Sequence, residues 1–133
     1  ALNALATILN THYGSLLETG MHNAMLRIVE EIFAVASLCG VQLPYASPDE
    51  YIHILFEEQI PRTYDHLPSM LQDIQHGKKT EIHALNGYIV SLAQQYNCPV
   101  PCNSVVTSIV QAQEILRRGE GHSAQAYQQN GLQ

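Results

Sequence analysis

The chain has 133 residues, of which 46% are hydrophobic and 14% are charged, and it contains no tryptophan. This length and balance are typical of one globular domain with a single core. Twelve acidic residues stand against six basic ones, and the resulting net charge of -6 argues against a nucleic-acid-binding surface or an anionic membrane partner. The small number of charges is compatible with self-association.

The cysteines indicate a reducing compartment. Cys39, Cys98 and Cys102 are an odd number without a secretory signal, which predicts a cytoplasmic location rather than a disulfide framework. Cys98 and Cys102 flank Pro-Val-Pro instead of the two-residue spacer of a zinc ribbon, so no metal site is predicted. Charged residues interrupt the longest apolar run, so no membrane span is predicted and the protein is expected to be soluble.

The first third of the chain predicts two helices. The first is apolar and ends before Gly14, with Leu2, Leu5, Ile8 and Leu9 at helical spacing. The second, from about Met21 to Gly40, carries apolar residues on two faces, which is typical of a central helix. Gly40 is expected to supply its left-handed end.

A third helix begins clearly at Ser47, where a capping residue is followed by Pro48 and by Glu50 at the capping-box position. It is expected to reach about Ile60, before Pro61. A last helix is predicted from the apolar residues Val105, Val106, Ile109, Ala112 and Leu116. With five or six helices and no alternating strand, the predicted fold class is all-α.

The stretch from Ser69 to Asn103 organises the rest of the chain. Ser69 and Gln72 have capping-box spacing, and Gly77 is expected to break the helix that they start. Glu81 is predicted to stand in the first turn of a long helix, where the dipole favours a carboxylate. The apolar face of that helix is Ile82, Leu85, Ile89, Leu92 and Tyr96. Prolines end it, and Asn103 is predicted to cap the next helix.

This stretch reads SMLQDIQHGKKTEIHALNGYIVSLAQQYNCPVPCN, and it resembles the C-terminal domain of ketopantoate reductases (2-dehydropantoate 2-reductases). The pattern S-M-x-x-D, followed by T-E-I-x-x-x-N-G and P-x-N, carries the resemblance. It implies a helical bundle of the 6-phosphogluconate dehydrogenase C-terminal-domain-like type. It also implies hydride transfer from NADPH to the ketone of 2-dehydropantoate, the step from ketopantoate to pantoate in pantothenate and coenzyme A biosynthesis.

The same resemblance implies a division into domains. Residues 1–118 are expected to form the helical substrate-binding domain and residues 119–133 a flexible tail. The N-terminal Rossmann domain that binds NADP(H) in the family is expected to be absent, because no glycine-rich dinucleotide fingerprint occurs and the chain opens inside a helical pattern without Met. The chain alone is therefore expected to bind no cofactor and to lack reductase activity. A homodimer is expected for the enzyme.

Four residues are carried over as candidates for the site. Glu81 matches the family glutamate that assists substrate binding and proton transfer, and it is the predicted catalytic residue. Ser69 matches the serine that binds the substrate carboxylate. Asn3 matches the last asparagine of the pattern N-x-x-x-N-P-L-x-A, although Ala4 replaces the proline. His66 stands where the family often has a substrate-binding asparagine, and this departure leaves the exact 2-oxo acid open.

Simpler interpretations stand beside these roles. Glu81 could merely complement a helix dipole, Ser69 could be a plain helix cap, and Asn3 could be a solvated residue at a helix start. The family's proton-donating lysine would lie before Ala1, so Lys78 is assigned no catalytic role. Two other functions remain open: a related 2-oxoacid or hydroxyacid reductase with another substrate, and a non-catalytic helical association module.

Overall fold

The computed structural model describes the backbone of residues 1–130 and the side chains of residues 1–119. Within residues 1–130 the regular structure is entirely helical, which confirms the all-α prediction. The helices are α1 (Leu2–Ile8), α2 (Ser15–Glu18), α3 (His22–Leu38), α4 (Pro48–Ile54), a π-helical turn (Leu55–Gln59), α5 (Ile60–Arg62), α6 (Ser69–Gln75), α7 (Asn86–Gln95) and α8 (Pro101–Asn130).

Helix α3 is central, as its two apolar faces predict. It packs against α4, α7 and α8, while α1 packs against α6 and α8. Met25 of α3 lies fully inside the main core, so this methionine serves packing. The main core also includes Leu16, Ile28, Ile52, Leu55, Ile60, Met70, Ile82 and Val110. Among the described residues, none of the helices combines the length and hydropathy that a bilayer crossing requires.

Several predicted helix ends are confirmed. The Ser47 hydroxyl accepts a hydrogen bond from the Glu50 N–H at 3.1 Å, as a capping residue does. Gly40 and Gly77 adopt φ values of +69° and +65°, the left-handed conformation that ends a helix. For the helical segment that begins at Pro48, the sequence predicts an end at about Ile60, whereas α5 ends two residues later, at Arg62. Pro61 does not stop the helix, because it lies in the first turn of α5, where its missing N–H is tolerated.

Two predicted caps are wrong. Ser69 is the first residue of α6 and makes no capping bond, because the Pro68 carbonyl accepts the first intrahelical bond, from the Gln72 N–H at 3.1 Å. The Gln72 side chain instead donates to the Leu67 carbonyl at 3.0 Å. Asn103 does not cap α8, since that helix already begins at Pro101.

The predicted tail also differs at its start. Helix α8 continues past Gly119 to Asn130, whereas the sequence pattern predicts loose chain from residue 119. The side chains of residues 120–133 and the backbone of residues 131–133 lie outside the described residues. The flexibility of residues 119–133, and with it the boundary of a domain at residue 118, stays a prediction.

Helix α8 receives its cap from another helix. The Glu31 carboxylate of α3 accepts the backbone N–H groups of Cys102 at 2.8 Å and Asn103 at 2.9 Å. The fully buried Asn103 amide donates to the same carboxylate at 2.7 Å and to the Ile28 carbonyl at 3.1 Å. Its oxygen accepts from the Asn86 amide of α7 at 3.0 Å. These bonds form the Asn103 network, which joins α3, α7 and α8.

A second buried link joins α8 to the chain ahead of α7. One carboxylate oxygen of Glu114, which is only 6% exposed, accepts from the Thr80 N–H at 2.7 Å and from its hydroxyl at 2.5 Å. The Thr80 hydroxyl in turn accepts from the Ile82 N–H at 3.2 Å. Glu114 therefore positions the segment that contains Glu81.

Replacing Asn103 should destabilise the fold strongly. Asn103→Ala leaves the buried Asn86 amide without its partner and removes one donor from the Glu31 carboxylate, at a cost of about 3 kcal/mol in the free energy of unfolding. Urea unfolding should show a lower midpoint at unchanged slope. Asn23→Ala, at an exposed position of α3, is the control and should change the free energy by less than about 0.5 kcal/mol. Equal effects of the two variants would contradict the role of the network.

Replacing Glu114 should loosen the segment around Thr80. Glu114→Ala removes two hydrogen bonds to a charged group, so amide hydrogen exchange at Thr80 should accelerate by roughly tenfold or more. Exchange can be followed residue by residue by NMR. Glu58→Ala is the control, because Glu58 makes only an exposed ion pair with Arg62 at 3.4 Å. Unchanged exchange at Thr80 would show that Glu114 does not hold the segment.

Candidate functional site

Glu81 does not lie in the first turn of a long helix, and that prediction is wrong. Helix α7 begins only at Asn86, and residues 81–85 form a separate turn in which the Glu81 carbonyl accepts from the N–H groups of Ala84 and Leu85 at 2.9 and 3.1 Å. Leu85 has φ −102° and ψ −102°, which breaks the helical path. The carboxylate of Glu81 is exposed and stands ahead of α7 instead of within its dipole.

The break has an identifiable physical cause. Thr80 is anchored to Glu114, Ile82 is completely buried in the core, and the Asn86 amide reaches Asn103. These three attachments constrain the turn from both ends, and none of them is visible in the local apolar periodicity. A Cβ added at Gly87 would lie 3.2 Å from the Ile82 carbonyl oxygen and 3.6 Å from Thr107 of α8. The turn itself therefore leaves little room for a side chain at Gly87, and α8 packs against that position at an ordinary contact distance.

Asn3 lines a cavity of about 320 Å³ between α1, α3 and the start of α7. The side-chain oxygen of Asn3 is buried and has no hydrogen-bond partner within the described part of the chain. A buried acceptor of this kind costs free energy unless a donor reaches it. The other lining residues are Ala1, Ala4, Ile32, Ala84, Leu85, Asn86, Tyr88 and Ile89. Asn3 is thus a polar side chain in a wall that is otherwise mostly apolar.

The turn that begins at Glu81 forms part of the same cavity. Ala84 and Leu85 belong to its wall, and so does Asn86, whose amide is fixed by Asn103. The structure thus brings Asn3 and the Glu81 turn to one place. The sequence analysis did not single out Asn86, although its place in the N-G step of the family pattern was an available signal.

His66 and Ser69 lie elsewhere. Both are exposed, and within the described residues neither lines the Asn3 cavity. His66 contacts the segment that follows the C-terminal end of α1: its carbonyl accepts from the Tyr13 N–H at 3.1 Å, and its ring centroid lies 5.1 Å from that of Tyr13. Because α1 packs against α6, Ser69 begins a helix adjacent to the one that carries Asn3.

The segment 12–14 and the loop 64–66 are joined by further bonds. The Gly14 N–H donates to the Tyr64 carbonyl at 2.8 Å, and the Tyr64 hydroxyl donates to the Glu18 carboxylate, a hydrogen bond that raises the pKa of Tyr64. A Cβ on Gly14 would lie 2.4 Å from the Tyr64 ring, so only glycine fits. Burial raises the pKa of Tyr13. The sequence analysis did not single out Tyr13, because a lone tyrosine before a glycine carries no pattern.

Other candidate chemistry finds little support. Lys78 and Lys79 are exposed in the chain between α6 and the Glu81 turn. The described residues contain no group of three or more His, Cys, Asp or Glu side chains placed to hold a metal ion. Cys39, Cys98 and Cys102 are all free thiols. The residues carried over from the family pattern therefore lie at two places: Asn3 and the Glu81 turn at one cavity, and His66 and Ser69 in the loop before α6 and at its first residue.

Comparison with known proteins identifies the family. The family model described as "Ketopantoate reductase PanE/ApbA C terminal" matches residues 1–114. A 2-dehydropantoate 2-reductase of Aquifex aeolicus is 40% identical over 117 residues, covering 87% of this chain and 37% of the relative. One of Lactococcus lactis is 34% identical over 122 residues, covering 90% and 38%. The chain thus spans less than two fifths of the length of these relatives.

Solved structures give the same result. A ketopantoate reductase of the PanE/ApbA family from Ralstonia eutropha superposes with a TM-score of 0.76 at 33% identity, over 86% of this chain and 37% of that one. D-mandelate dehydrogenase, solved with NADH and anilino(oxo)acetate, superposes with a TM-score of 0.76 at 29% identity, over 87% of this chain and 48% of that one. The chain belongs to the ketopantoate reductase family and corresponds to its C-terminal domain.

Proposed function

We propose that this chain is the substrate-binding part of an NADPH-dependent 2-dehydropantoate 2-reductase. The observation that carries the proposal is the cavity of about 320 Å³ that Asn3, whose side-chain oxygen has no partner, lines together with residues 84–86 of the Glu81 turn and the start of α7. Polar atoms left unpaired at a concave surface are what a ligand with hydroxyl groups would satisfy. The names of the relatives supply the substrate.

The residues of this chain do not fit a dinucleotide. Residues 1–130 offer no strand followed by a glycine-rich turn and a helix, the arrangement that binds the pyrophosphate in Rossmann domains. We therefore assign the binding of NADPH to a separate N-terminal domain, as the length of the relatives indicates. The part left to this chain is to bind and orient the 2-oxo acid.

Each candidate residue has a role that suits its position. Asn3 would turn its amide toward a substrate hydroxyl inside the cavity, which would give its buried oxygen the partner that it lacks. Glu81, exposed at the head of the turn, is free to approach a bound substrate and to assist proton transfer. Ser69, exposed at the first residue of α6, has a hydroxyl available for the substrate carboxylate, since it caps no helix.

Substitutions of Glu81 and Ser69 should separate proton handling from binding. In the enzyme of family length, Glu81→Gln should lower kcat for 2-dehydropantoate about a hundredfold, because the glutamine cannot exchange a proton. Ser69→Ala should raise KM about tenfold with little change in kcat, since one hydrogen bond to a charged group is lost. Steady-state NADPH oxidation measures both parameters.

Glu57→Gln, at an exposed acid of the π-helical turn, is the matched control and should leave both parameters unchanged. The chain of 133 residues alone should not oxidise NADPH with 2-dehydropantoate, because it lacks a nucleotide site. Measurable turnover by this chain would refute the assignment of NADPH binding to a separate N-terminal domain. If neither Glu81→Gln nor Ser69→Ala affected the longer enzyme, a non-catalytic helical association module would be the better description of this domain.

A second candidate function is the reduction of a different 2-oxo acid. It is favoured by His66, which stands where the family resemblance gives an asparagine, and by the likeness to D-mandelate dehydrogenase solved with anilino(oxo)acetate. Substrate profiling of the longer enzyme separates the two candidates. A cytoplasmic location belongs to both proposals, and the free thiols of Cys39, Cys98 and Cys102 agree with it.

We further propose that the enzyme is a homodimer in which α8 contributes to the interface. This helix exposes Val105, Ile109, Ala112 and Leu116, whose spacing of four, three and four residues produces one apolar seam of the coiled-coil type. Val105 is 57% exposed and Leu116 is 66% exposed in the single chain. A second copy of the same seam would bury both.

The dimer can be tested by light scattering. The unsubstituted protein should have twice the mass of one chain, and Ile109→Glu should shift it toward the monomer because a charge would be buried in the seam. Ala34→Glu, at an exposed position of α3, is the control and should leave the mass unchanged. This interface would be refuted if the unsubstituted protein were monomeric, or if Ile109→Glu left the mass of the dimer unchanged.

A further inference from the structure

We infer that the cavity between α1, α6 and α8 is a second ligand site, which binds a small carboxylate that also carries hydroxyl groups. The cavity has a volume of about 280 Å³, and among the described residues it shares no lining residue with the Asn3 cavity. The inference is therefore independent of the proposed reductase function, and either can fail without the other. The polar residues that line the cavity are Thr7, Asn10, Gln75, Gln113 and Arg117.

Three carboxamides from three parts of the chain meet at this cavity. Asn10 follows α1 in the left-handed conformation, with φ +54°, and Gln75 is the exposed last residue of α6. Gln113 of α8 is partly buried, and within the described part of the chain its side-chain oxygen has no hydrogen-bond partner. Turning the Gln113 amide toward the cavity would therefore cost no hydrogen bond at that oxygen, and a ligand hydroxyl would supply the missing donor.

Arg117 adds a positive charge to the same lining. A guanidinium has five N–H donors in a planar fork, and a carboxylate engages two of them side by side. Although the chain has twelve acidic residues, no carboxylate of the described residues lines this cavity. Glu114, one turn before on α8, is directed to Thr80 by bonds of 2.7 and 2.5 Å and lies 3.7 Å from Arg118. The charges at the cavity therefore favour an anion.

Compensation of a helix dipole is the simplest alternative explanation for two adjacent arginines. Arg117 and Arg118 lie roughly three turns before the end of α8, which continues to Asn130. The dipole acts on charges within the last turn of a helix, so it does not explain why a guanidinium lies at this cavity.

The remaining lining suits the carbon skeleton and the hydroxyl groups of such a ligand. Leu71 and Ile74 of α6 line the cavity and are buried, and so does Leu116 of α8, which also belongs to the seam of the proposed dimer. The Thr7 hydroxyl donates to the Asn3 carbonyl at 2.8 Å, so toward a ligand it can only accept. Carboxamides can both donate and accept, which matches a hydroxyl group. A small hydroxylated carboxylate is the ligand that uses all of these groups.

The test is an NMR titration of the ¹⁵N-labelled protein with glycerate, a carboxylate that carries two hydroxyl groups. The side-chain NH2 signals of Asn10, Gln75 and Gln113 should shift together and saturate. Glycerol, which lacks the carboxylate, and propanoate, which lacks the hydroxyl groups, should each bind roughly tenfold or more weakly. The inference is overturned if these three signals do not shift. It is also overturned if the carboxamide signals of Asn3 and Asn86 shift in their place, because glycerate then occupies the Asn3 cavity.

Two variants test the charge and the amide separately. Arg117→Gln should raise the Kd for glycerate roughly tenfold, because charge-assisted hydrogen bonds are lost. Gln113→Met keeps the length of the side chain without its amide and should raise the Kd roughly threefold, even if α8 needs Arg117 for its stability. Arg62→Gln, at an exposed arginine 3.4 Å from Glu58, is the control and should leave the Kd unchanged. If the Kd for glycerate were the same in both variants as in the unsubstituted protein, the proposed site would be wrong.

Discussion

The burial of Asn103 is the constraint on which the rest of the structure depends. Its amide is completely enclosed, and it is bonded to Ile28 and Glu31 of α3 and to Asn86 of α7. Leaving such a group unpaired is costly, so α3, α7 and α8 can meet only in the register that satisfies it. Apolar packing alone would permit small slips between these helices, whereas the network does not.

The same constraint reaches the site. Because the Asn86 amide must point to Asn103, α7 starts at Asn86, and the residues before it form a separate turn anchored by Thr80 and Glu114. That turn supplies one wall of the cavity at Asn3. A buried polar network therefore determines where the exposed carboxylate of Glu81 stands, although Glu81 makes no bond within it.

The sequence predicted those features that depend on local chemistry. The all-α class, the central helix α3, the cap at Ser47 and the left-handed glycines at positions 40 and 77 follow from periodicity and from backbone preferences within a few residues. Two of the failures share one cause, which is that a distant partner replaced the local one. Glu31, rather than Asn103, caps α8. The bond from Thr80 to Glu114 and the bond from Asn86 to Asn103 interrupt the helix that was predicted to begin near Glu81.

The candidate site follows the same division. A family pattern could nominate Asn3, Ser69, His66 and Glu81, but it could not show that Asn3 and the Glu81 turn share a cavity while His66 pairs with Tyr13 on the loop beyond α1. These two places differ in character: one is a partly open cavity lined by Asn3, and the other is an exposed His66 ring against a partly buried Tyr13 ring on bonded backbone. Asn3 stands in the first turn of α1 and Tyr13 follows the end of that helix, so the length of α1 separates the two places along the chain. A family pattern names such residues side by side and carries no information on this separation, which the packing of α1 against α6 and α8 determines.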